Sequence, residues 1–189
     1  MHNDALKGGF SDPPTDSARA FRSIMTAMAQ PGDIKTVVGA NPPAPLSRAA
    51  GTLVLTLCDP DTPIYLAGKC DSPALREWIA FHVGAPIVDP ARAMFAVGEW
   101  GALQPISAYS IGSAEFPDRS ASLIVESTVL KSEGQILEGP GIEFTTKFRL
   151  PETTVFIKNA TCFPQGLDFY FTAGDQLAAL PRSTKVRVS

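Results

Sequence analysis

Apolar residues recur at helical spacing in the first third of the chain. The stretch "DSARAFRSIMTAMAQPG" predicts an amphipathic helix that Asp16 or Thr15 can cap and that Pro31 and Gly32 end. Its apolar face, which should pack on a core, is predicted to carry Ala18, Phe21, Met25 and Met28.

Two further helices are predicted before residue 90. The stretch "PLSRAAGTLVLTLCD" favours a helix, although its dense apolar run, residues 53–57, also fits a buried strand. The stretch "DSPALREWIAFHVGAP" has the clearest signals, because Ser72 can cap the helix, Pro73 suits its first turn and Gly84 suits its end. One face of this helix is predicted to carry Leu75, Trp78, Ile79 and His82.

Short apolar runs elsewhere predict strands, and the connections between them predict hairpins. The runs are "IKTVV", "IYL", "MFAVG", "ASLIVESTVL", "QILEG", "LDFYFTAG", "QLAALPRS" and "KVRV". We expect one hairpin around Ser132 and another around Gly174 and Asp175. A short helix is expected from Glu152, and residues 99–119 should be mostly loop.

This order of elements indicates the fold class. Helices and strands alternate in the first half, and antiparallel hairpins dominate the second, which predicts an α/β fold with a mixed sheet. We expect a flexible N-terminal lead-in over residues 1–14 and a single domain over residues 15–189.

Composition excludes several classes of function. The 189 residues are 44% apolar and 19% charged, which is typical of a globular protein, and the net charge of -3 argues against nucleic-acid binding. No apolar run is long enough to span a bilayer, and the first residues lack the apolar stretch of a signal peptide. We therefore expect a cytoplasmic protein without membrane contact.

Few residues suit catalysis or metal binding. The three cysteines and two histidines match no metal-ligand spacing, so no metal site is predicted. Cys58 is expected to be a buried apolar residue. His82 could act as a general base, but its position favours a histidine packed at a helix end. The "GPG" at residues 139–141 could present amides to a phosphate, although an ordinary turn explains it equally well.

Asp168 and Arg182 have opposite charges at similar distances from the turn at Gly174 and Asp175. If the flanking strands pair, the two side chains meet across the hairpin, and such pairs are usually structural and weak when exposed. The spacing leaves open whether the pair only supports the hairpin or belongs to a binding or interface surface.

Eight stretches, in this order, carry a resemblance to a known family. They are "FRSIMTAMAQPG", "LVLTLCDPDTPIYL", "FHVGAPIV", "MFAVG", "ASLIVESTVL", "LEGPGI", "CFPQGLDFYF" and "LAALPRSTKV". The chain resembles the PhnH family of phosphonate metabolism proteins, which are subunits of the carbon–phosphorus lyase system. Leu167 stands where the family pattern suggests isoleucine, and Ser183 where it suggests threonine. Residues 144–151 match the pattern poorly.

The resemblance implies a three-layer α-β-α sandwich, similar to pyridoxal-phosphate-dependent transferases but without the cofactor. It also implies a homodimer that joins PhnG, PhnI and PhnJ in a core complex. With PhnG, PhnI and PhnL, such an assembly transfers the ribose triphosphate of ATP to an alkylphosphonate and releases adenine. The family gives no catalytic residues for this subunit, and no lysine here lies in a Ser/Gly-rich loop that would suit pyridoxal phosphate.

These observations lead to two hypotheses about function. The first is a complex subunit, inactive alone, with a candidate interface or ligand surface formed by Phe163, Gly166, Asp168, Arg182 and Thr184. The alternative is a self-sufficient small-molecule enzyme that uses His82 or Cys162.

Overall fold

The computed structural model describes residues 7–188, and this part of the chain contains four α-helices and nine β-strands. The helices are α1 (Pro13–Ala29), α2 (Arg48–Leu57), α3 (Pro73–His82) and α4 (Thr154–Thr161). The strands are β1 (Lys35–Thr36), β2 (Ile64–Leu66), β3 (Phe95–Glu99), β4 (Ser122–Glu126), β5 (Gln135–Glu138), β6 (Thr146–Phe148), β7 (Asp168–Ala173), β8 (Gln176–Leu180) and β9 (Lys185–Arg187). Residues 100–121 form loops with two short 3₁₀ turns, as the sequence predicted.

Six strands form the main sheet, in the order β1-β8-β7-β4-β3-β2. Neighbours among β2, β3, β4 and β7 pair in parallel, whereas β8 pairs antiparallel with β7 and β1 pairs antiparallel with β8. The predicted α/β class and the mixed sheet are therefore confirmed, as is the hairpin around Gly174 and Asp175, in which Phe169 lies opposite Leu180.

The main sheet separates two hydrophobic cores. Alternate residues of a strand point to opposite faces, so Tyr170 lies in the first core while Phe169 and Phe171 lie in the second. In β4, Ile124 faces the first core and Leu123 the second. Parallel strands that are covered on both faces need apolar side chains on both, and the central strands satisfy this requirement.

Helices α1, α2 and α3 cover the first core. Helix α2 begins after Ser47, whose side chain accepts a hydrogen bond from the Ala50 N–H at 3.1 Å, and Ser72 caps α3 through the Leu75 N–H at 3.3 Å. The apolar run over residues 53–57 is thus helical, and the alternative of a buried strand is wrong. Leu53, Val54, Leu75, Trp78 and Ile79 are all buried.

The face predicted for α1 is wrong for Ala18, Phe21 and Met25, which are exposed, whereas Met28 is partly buried against the first core as predicted. The residues of α1 that are buried are Ala20, Ile24 and Ala27. Phe21 is 47% exposed and Met25 46% exposed. The helix carries two apolar stripes, and only packing against the neighbouring helix α2 and strand β8 decides which of them faces the core.

Helix α4 and a second sheet cover the other core. This small sheet has the order β6-β5-β9, with all pairs antiparallel. The hairpin predicted around Ser132 is wrong, because β4 pairs in parallel with β3 and β7 while β5 joins the small sheet. Aromatic rings fill this core, with Phe156 stacked on Trp100 at 5.1 Å between centroids and set edge-on against Phe169 at 4.8 Å.

The described part of the predicted lead-in lies against the first-face helices. The Lys7 carbonyl accepts a hydrogen bond from the Trp78 indole at 3.1 Å, and the Gly8 carbonyl accepts one from the Asn41 N–H at 2.8 Å. Helix α1 begins at Pro13, ahead of the start predicted at Thr15 or Asp16. Residues 1–6 of the lead-in lie outside the described residues, and the division at residue 14 remains a prediction.

The "GPG" turn closes against the end of α1. Gly141 has φ +83°, and a Cβ atom built there would lie 1.9 Å from the Ala29 carbonyl oxygen. Because the clash is with backbone, no side-chain rotation relieves it, and close packing explains this glycine without a phosphate.

Replacing Gly141 with alanine should destabilise the protein. The left-handed φ and the backbone clash together should cost about 2–4 kcal/mol, which lowers the melting temperature by roughly 10 °C. Gly101→Ala is the matched control, since nothing lies within 4 Å of a Cβ atom there, and it should change the melting temperature by less than about 2 °C. Differential scanning calorimetry of both variants tests this, and equal melting temperatures would contradict it.

Candidate functional site

The five residues of the candidate surface differ sharply in exposure. Phe163 is 60% exposed. Asp168 and Arg182 are half-buried, with side chains 17% and 16% exposed, while Gly166 and Thr184 are buried. Phe163 and Gly166 precede β7, which begins at Asp168, and Arg182 and Thr184 follow the end of β8. Of these five residues, only Phe163 is well exposed.

Asp168 and Arg182 form a multiply bonded pair beyond the end of the hairpin. The Arg182 backbone N–H donates to Asp168 Oδ1 at 2.8 Å, its Nε donates to the same oxygen at 3.2 Å, and Nη2 lies 2.5 Å from Oδ2. The pairing expected from the spacing is present, and the pair is half-buried rather than exposed. A half-buried, bidentate pair is more than a weak surface contact.

Arg182 also holds a neighbouring loop. Its Nη1 donates to the Pro117 carbonyl at 2.5 Å, in the loop that connects β3 with β4. The same loop is bonded to the chain before β7, since the Gly166 N–H donates to the Ile111 carbonyl at 3.0 Å. The pair is thus a support that fixes two loops, 110–119 and 162–166, against each other.

These two loops carry an exposed apolar surface. Phe116 is 43% exposed and Ile111 38%, alongside Phe163. Arg119 places its guanidinium carbon 4.1 Å from the centroid of the Phe116 ring, a cation–π contact. We call Ile111, Phe116 and Phe163 the loop surface. Sequence reasoning found Phe163 but missed the other two, because they belong to a segment with no periodic pattern.

Gly166 and Thr184 belong to the framework below the loop surface. Beside Gly166, Asn159 bridges α4 to β7, donating to the Leu167 carbonyl and accepting from the Leu167 N–H, both at 2.8 Å. A Cβ atom at Gly166 would lie 3.2 Å from the Asn159 side chain, which explains the glycine. The Thr184 hydroxyl is buried without a hydrogen-bond partner among the described residues.

His82 and Cys162 do not form one site. His82 ends α3 on the first face, where its Nε2 donates to the Lys7 carbonyl at 3.2 Å and its ring lies 5.2 Å from Trp78. Cys162 follows α4 on the other face, and its thiol donates to the Lys158 carbonyl at 3.5 Å. The main sheet lies between them, so the two residues cannot act on the same substrate atom.

The two buried cysteines are poor nucleophiles. Burial, with a smaller contribution from Asp59, raises the pKa of the Cys58 thiol to about 12. Burial, with Glu126 and Glu99 nearby, raises the pKa of the Cys70 thiol to about 12. Since the thiolate is the reactive form, both thiols stay protonated at neutral pH. The prediction that Cys58 is buried is confirmed.

A second group of charges, which sequence reasoning missed, lies at the opposite end of the parallel strands. Glu99 ends β3 and Glu126 ends β4, and the two are direct neighbours in the sheet. Glu126 Oε1 accepts the Ser47 N–H at 2.6 Å, so its carboxylate lies at the N-terminus of α2. The signal available in the sequence was a glutamate as the last residue of each of two buried strands.

The Glu126 carboxyl group serves this helix end as an internal hydrogen-bond acceptor. Burial raises the pKa of its carboxyl, hydrogen bonds from Ser47 and Thr172 oppose that rise, and the neighbouring Glu99 adds to it. The Ala49 N–H donates to the Gly174 carbonyl at 2.9 Å and Ser47 caps the Ala50 N–H, so protein groups already satisfy this helix end. The arrangement is therefore a structural contact rather than an anion site.

Comparison with known proteins identifies the family of the chain. A profile of the family described as bacterial phosphonate metabolism protein (PhnH) matches residues 8–187. The chain is also 38% identical to the alpha-D-ribose 1-methylphosphonate 5-triphosphate synthase subunit PhnH of Rhizobium meliloti (strain 1021), in an alignment that covers 95% of this chain and 94% of that protein. The chain belongs to the PhnH family. The resemblance read from the sequence motifs is confirmed.

The PhnH match includes both loops of the loop surface, the Asp168–Arg182 pair and Glu126. Within the described range of this PhnH chain, no group of three or more His, Cys, Asp or Glu side chains could hold a metal ion. No helix in that range is long and apolar enough to cross a membrane.

Removing Arg182 from this PhnH chain should destabilise it. Arg182→Ala leaves a half-buried Asp168 carboxylate without its partner and frees the Pro117 loop, so we expect a loss of about 3 kcal/mol and a melting temperature roughly 6–12 °C lower. Arg187→Ala is the control, because the Arg187–Glu138 pair is more exposed, and it should cost at most about 1 kcal/mol. Thermal unfolding followed by circular dichroism measures the melting temperatures of both variants. Similar losses of stability in Arg182→Ala and Arg187→Ala would contradict the prediction.

Replacing Glu126 with glutamine should make stability less sensitive to rising pH. The raised pKa means that the folded state holds the proton more tightly, so this contribution is complete below the unfolded-state pKa and is lost as pH rises through the folded-state pKa. The introduced amide does not ionise and still accepts from the Ser47 N–H. The difference in unfolding free energy, variant minus wild type, should therefore increase as pH rises above about 4, the ordinary pKa of a glutamate. Urea unfolding measures it, with exposed Glu77→Gln as the control that should show no such increase.

Proposed function

We propose that the chain is the PhnH subunit of an alpha-D-ribose 1-methylphosphonate 5-triphosphate synthase in phosphonate catabolism. The observation that carries this proposal is the 38% identity, over nearly the whole chain, to the Rhizobium meliloti protein of that name. Loss or gain of a domain often accompanies a change of function, and an alignment that covers 95% of one protein and 94% of the other leaves little room for either.

In this proposal the assembled synthase transfers the ribose triphosphate of ATP to an alkylphosphonate and releases adenine, and the chain contributes without catalysing the reaction alone. The main sheet separates His82 from Cys162, so these two residues do not form a catalytic pair. The raised thiol pKa values of the buried Cys58 and Cys70 make these two cysteines poor nucleophiles. The alternative of a self-sufficient enzyme would use His82 or Cys162 alone. His82 lines an open cleft and Cys162 is exposed, so the assay of the purified chain below is what separates the two hypotheses.

The proposed partners are a second copy of the chain and the PhnG, PhnI, PhnJ and PhnL subunits, in the cytoplasm. The excess of acidic over basic residues supports protein partners rather than nucleic acid. The chain needs a contact surface for such partners, and the structure offers one in the loop surface of Ile111, Phe116 and Phe163.

The loop surface has the physical properties of a partner contact. Three large apolar side chains stand out of two loops that hydrogen bonds and the Asp168–Arg182 pair hold together, so the surface needs little ordering on binding. Exposed aromatic residues are enriched among the residues that carry binding energy. In this assignment Phe163 contacts the partner, whereas Gly166, Asp168, Arg182 and Thr184 position it from below.

Two finer structural proposals accompany this function. The first is that residues 15–189 form one domain, which the alternation of elements around one main sheet supports. The second is that the fold is related to pyridoxal-phosphate-dependent transferases without binding the cofactor, supported by the mixed sheet with helices on both faces.

The proposal is tested by co-expressing the chain with the partner subunits and assaying adenine release from ATP and methylphosphonate by chromatography. We expect release only from the assembled complex. Phe163→Asp should weaken co-purification with the partners by at least about tenfold, because it places a charge in a desolvated contact. Phe144→Asp is the matched control, since Phe144 is 81% exposed outside the loop surface.

Two outcomes would contradict the proposal at separate points. Adenine release at enzyme-like rates by the purified chain alone would exclude the subunit role and favour the self-sufficient enzyme. Normal assembly of the Phe163→Asp variant would leave the subunit role intact but exclude the loop surface as the contact.

A further inference from the structure

An open cleft of about 870 Å³ lies on the first face of the protein. It is bounded by the chain before α1 and by α1, α2 and α3, so the main sheet separates it from the loop surface on the other face. Its lining consists of Gly8, Gly9, Phe10, Ser11, Pro13, Pro14, Ser17, Ala18, Phe21, Arg22, Leu55 and His82. The volume falls in the range of small-molecule sites, about 300–1,000 Å³.

Two aromatic rings give the cleft its apolar surface. Phe10 packs partly against the first core, and a Cβ atom at Gly39 would lie 2.6 Å from its ring, so the ring is closely confined. Phe21 rises from α1 and is 47% exposed, as part of the apolar stripe that does not face the core. Exposing an aromatic ring to water is unfavourable, and a flat ligand placed against both rings would cover them.

The polar lining contributed by residues 7–188 is cationic. No Asp or Glu is among these lining residues, whereas Arg22 is. Within the described range, the Arg22 guanidinium makes no hydrogen bond or ion pair, although an arginine offers five donors. Of the two acids near the start of the same helix, Asp16 accepts a hydrogen bond from the Asp12 N–H at 3.0 Å, and Asp12 is not among the lining residues.

His82 adds a second polar group. Its Nε2 is used by the Lys7 carbonyl, which leaves Nδ1 facing Gly9, where a Cβ atom would lie 2.7 Å from it. Because Gly9 has no side chain, the Nδ1 edge of the imidazole can pack directly against the Gly9 backbone at the wall of the cleft. Hydroxyls of Ser11 and Ser17 complete the polar part of the lining.

We propose that this cleft binds a small organic anion with a flat apolar body. The rings of Phe10 and Phe21 hold the body, and Arg22 binds the acidic group in the bidentate geometry that guanidinium favours. A cation would meet Arg22 without a compensating acid, and a neutral apolar compound would leave the guanidinium unpaired. This inference concerns a different face from the proposed subunit contact and does not depend on it.

The test uses the full chain and a matched pair of fluorescent probes. The anion 8-anilinonaphthalene-1-sulfonate carries the flat body and the acid, and N-phenyl-1-naphthylamine carries the flat body without the acid. We expect saturable binding of the sulfonate, with one molecule per chain by calorimetry. Arg22→Gln should weaken it by about fivefold at low salt, as expected for one exposed charge contact. Binding of the uncharged probe should be the same in wild type and Arg22→Gln.

Two further variants separate the cleft from other apolar surfaces. Arg19→Gln removes an exposed arginine from the same helix outside the cleft, and it should change sulfonate affinity by less than about twofold. Phe21→Ala should weaken both probes, because it removes one wall of the cleft. Circular dichroism of each variant verifies that the fold is retained.

Several results would overturn the proposal. Non-saturable binding would do so, as would equal effects of Arg22→Gln and Arg19→Gln, or unchanged binding of both probes to Phe21→Ala. If light scattering shows that Phe21→Ala converts a dimer to a monomer while sulfonate binding is unchanged, the cleft is a contact between copies of the chain and the ligand assignment is wrong.

Discussion

The structure depends on the burial of strands β4 and β7 between two cores. These adjacent parallel strands have apolar side chains on both faces, Ile124 and Tyr170 toward one core and Leu123, Phe169 and Phe171 toward the other. Strands of this kind are stable only when both faces are covered, so the helices α1, α2 and α3 on one side and α4 with the small sheet on the other are required by the same constraint.

The two strands also fix where charges can lie. Most side chains within the strands are apolar and none in their interior is charged, so the charged residues occur at the strand ends, Asp168 at the start of β7 and Glu126 at the end of β4. Each is half-buried and each has a partner from another element, Arg182 for Asp168 and the Ser47 N–H for Glu126. A half-buried carboxylate without such a partner would destabilise the fold, so both act as connections between the sheet and its surroundings.

The protein exposes two distinct surfaces, one on each side of the main sheet. Arg182 supports the loops that expose Ile111, Phe116 and Phe163, on the face covered by α4. On the other face, the exposed stripe of α1 and the chain before it form the cleft around Arg22. The residues that match the PhnH family, 8–187, include both surfaces.

The sequence by itself determined the local elements and the family. Capping serines at 47 and 72, the prolines and glycines at helix ends, and the alternation in β7 each specify structure through neighbouring residues, and the predicted elements and the β7–β8 hairpin follow from them. The ordered motifs likewise identified PhnH. The pairing of Asp168 with Arg182 could be expected because the turn brings them together.

Only the tertiary structure decided the partners of elements that are ambiguous on their own. Helix α1 has two apolar stripes, and its packing buried Ile24 rather than Phe21. Strand β5 could pair with β4 or with β6 and β9, and the parallel neighbours of β4 left it to the small sheet. Glu126 and the loop holding Ile111 and Phe116 acquire their roles from residues distant in sequence. Contacts of that kind depend on which surfaces meet in three dimensions, and local spacing along the chain does not record them.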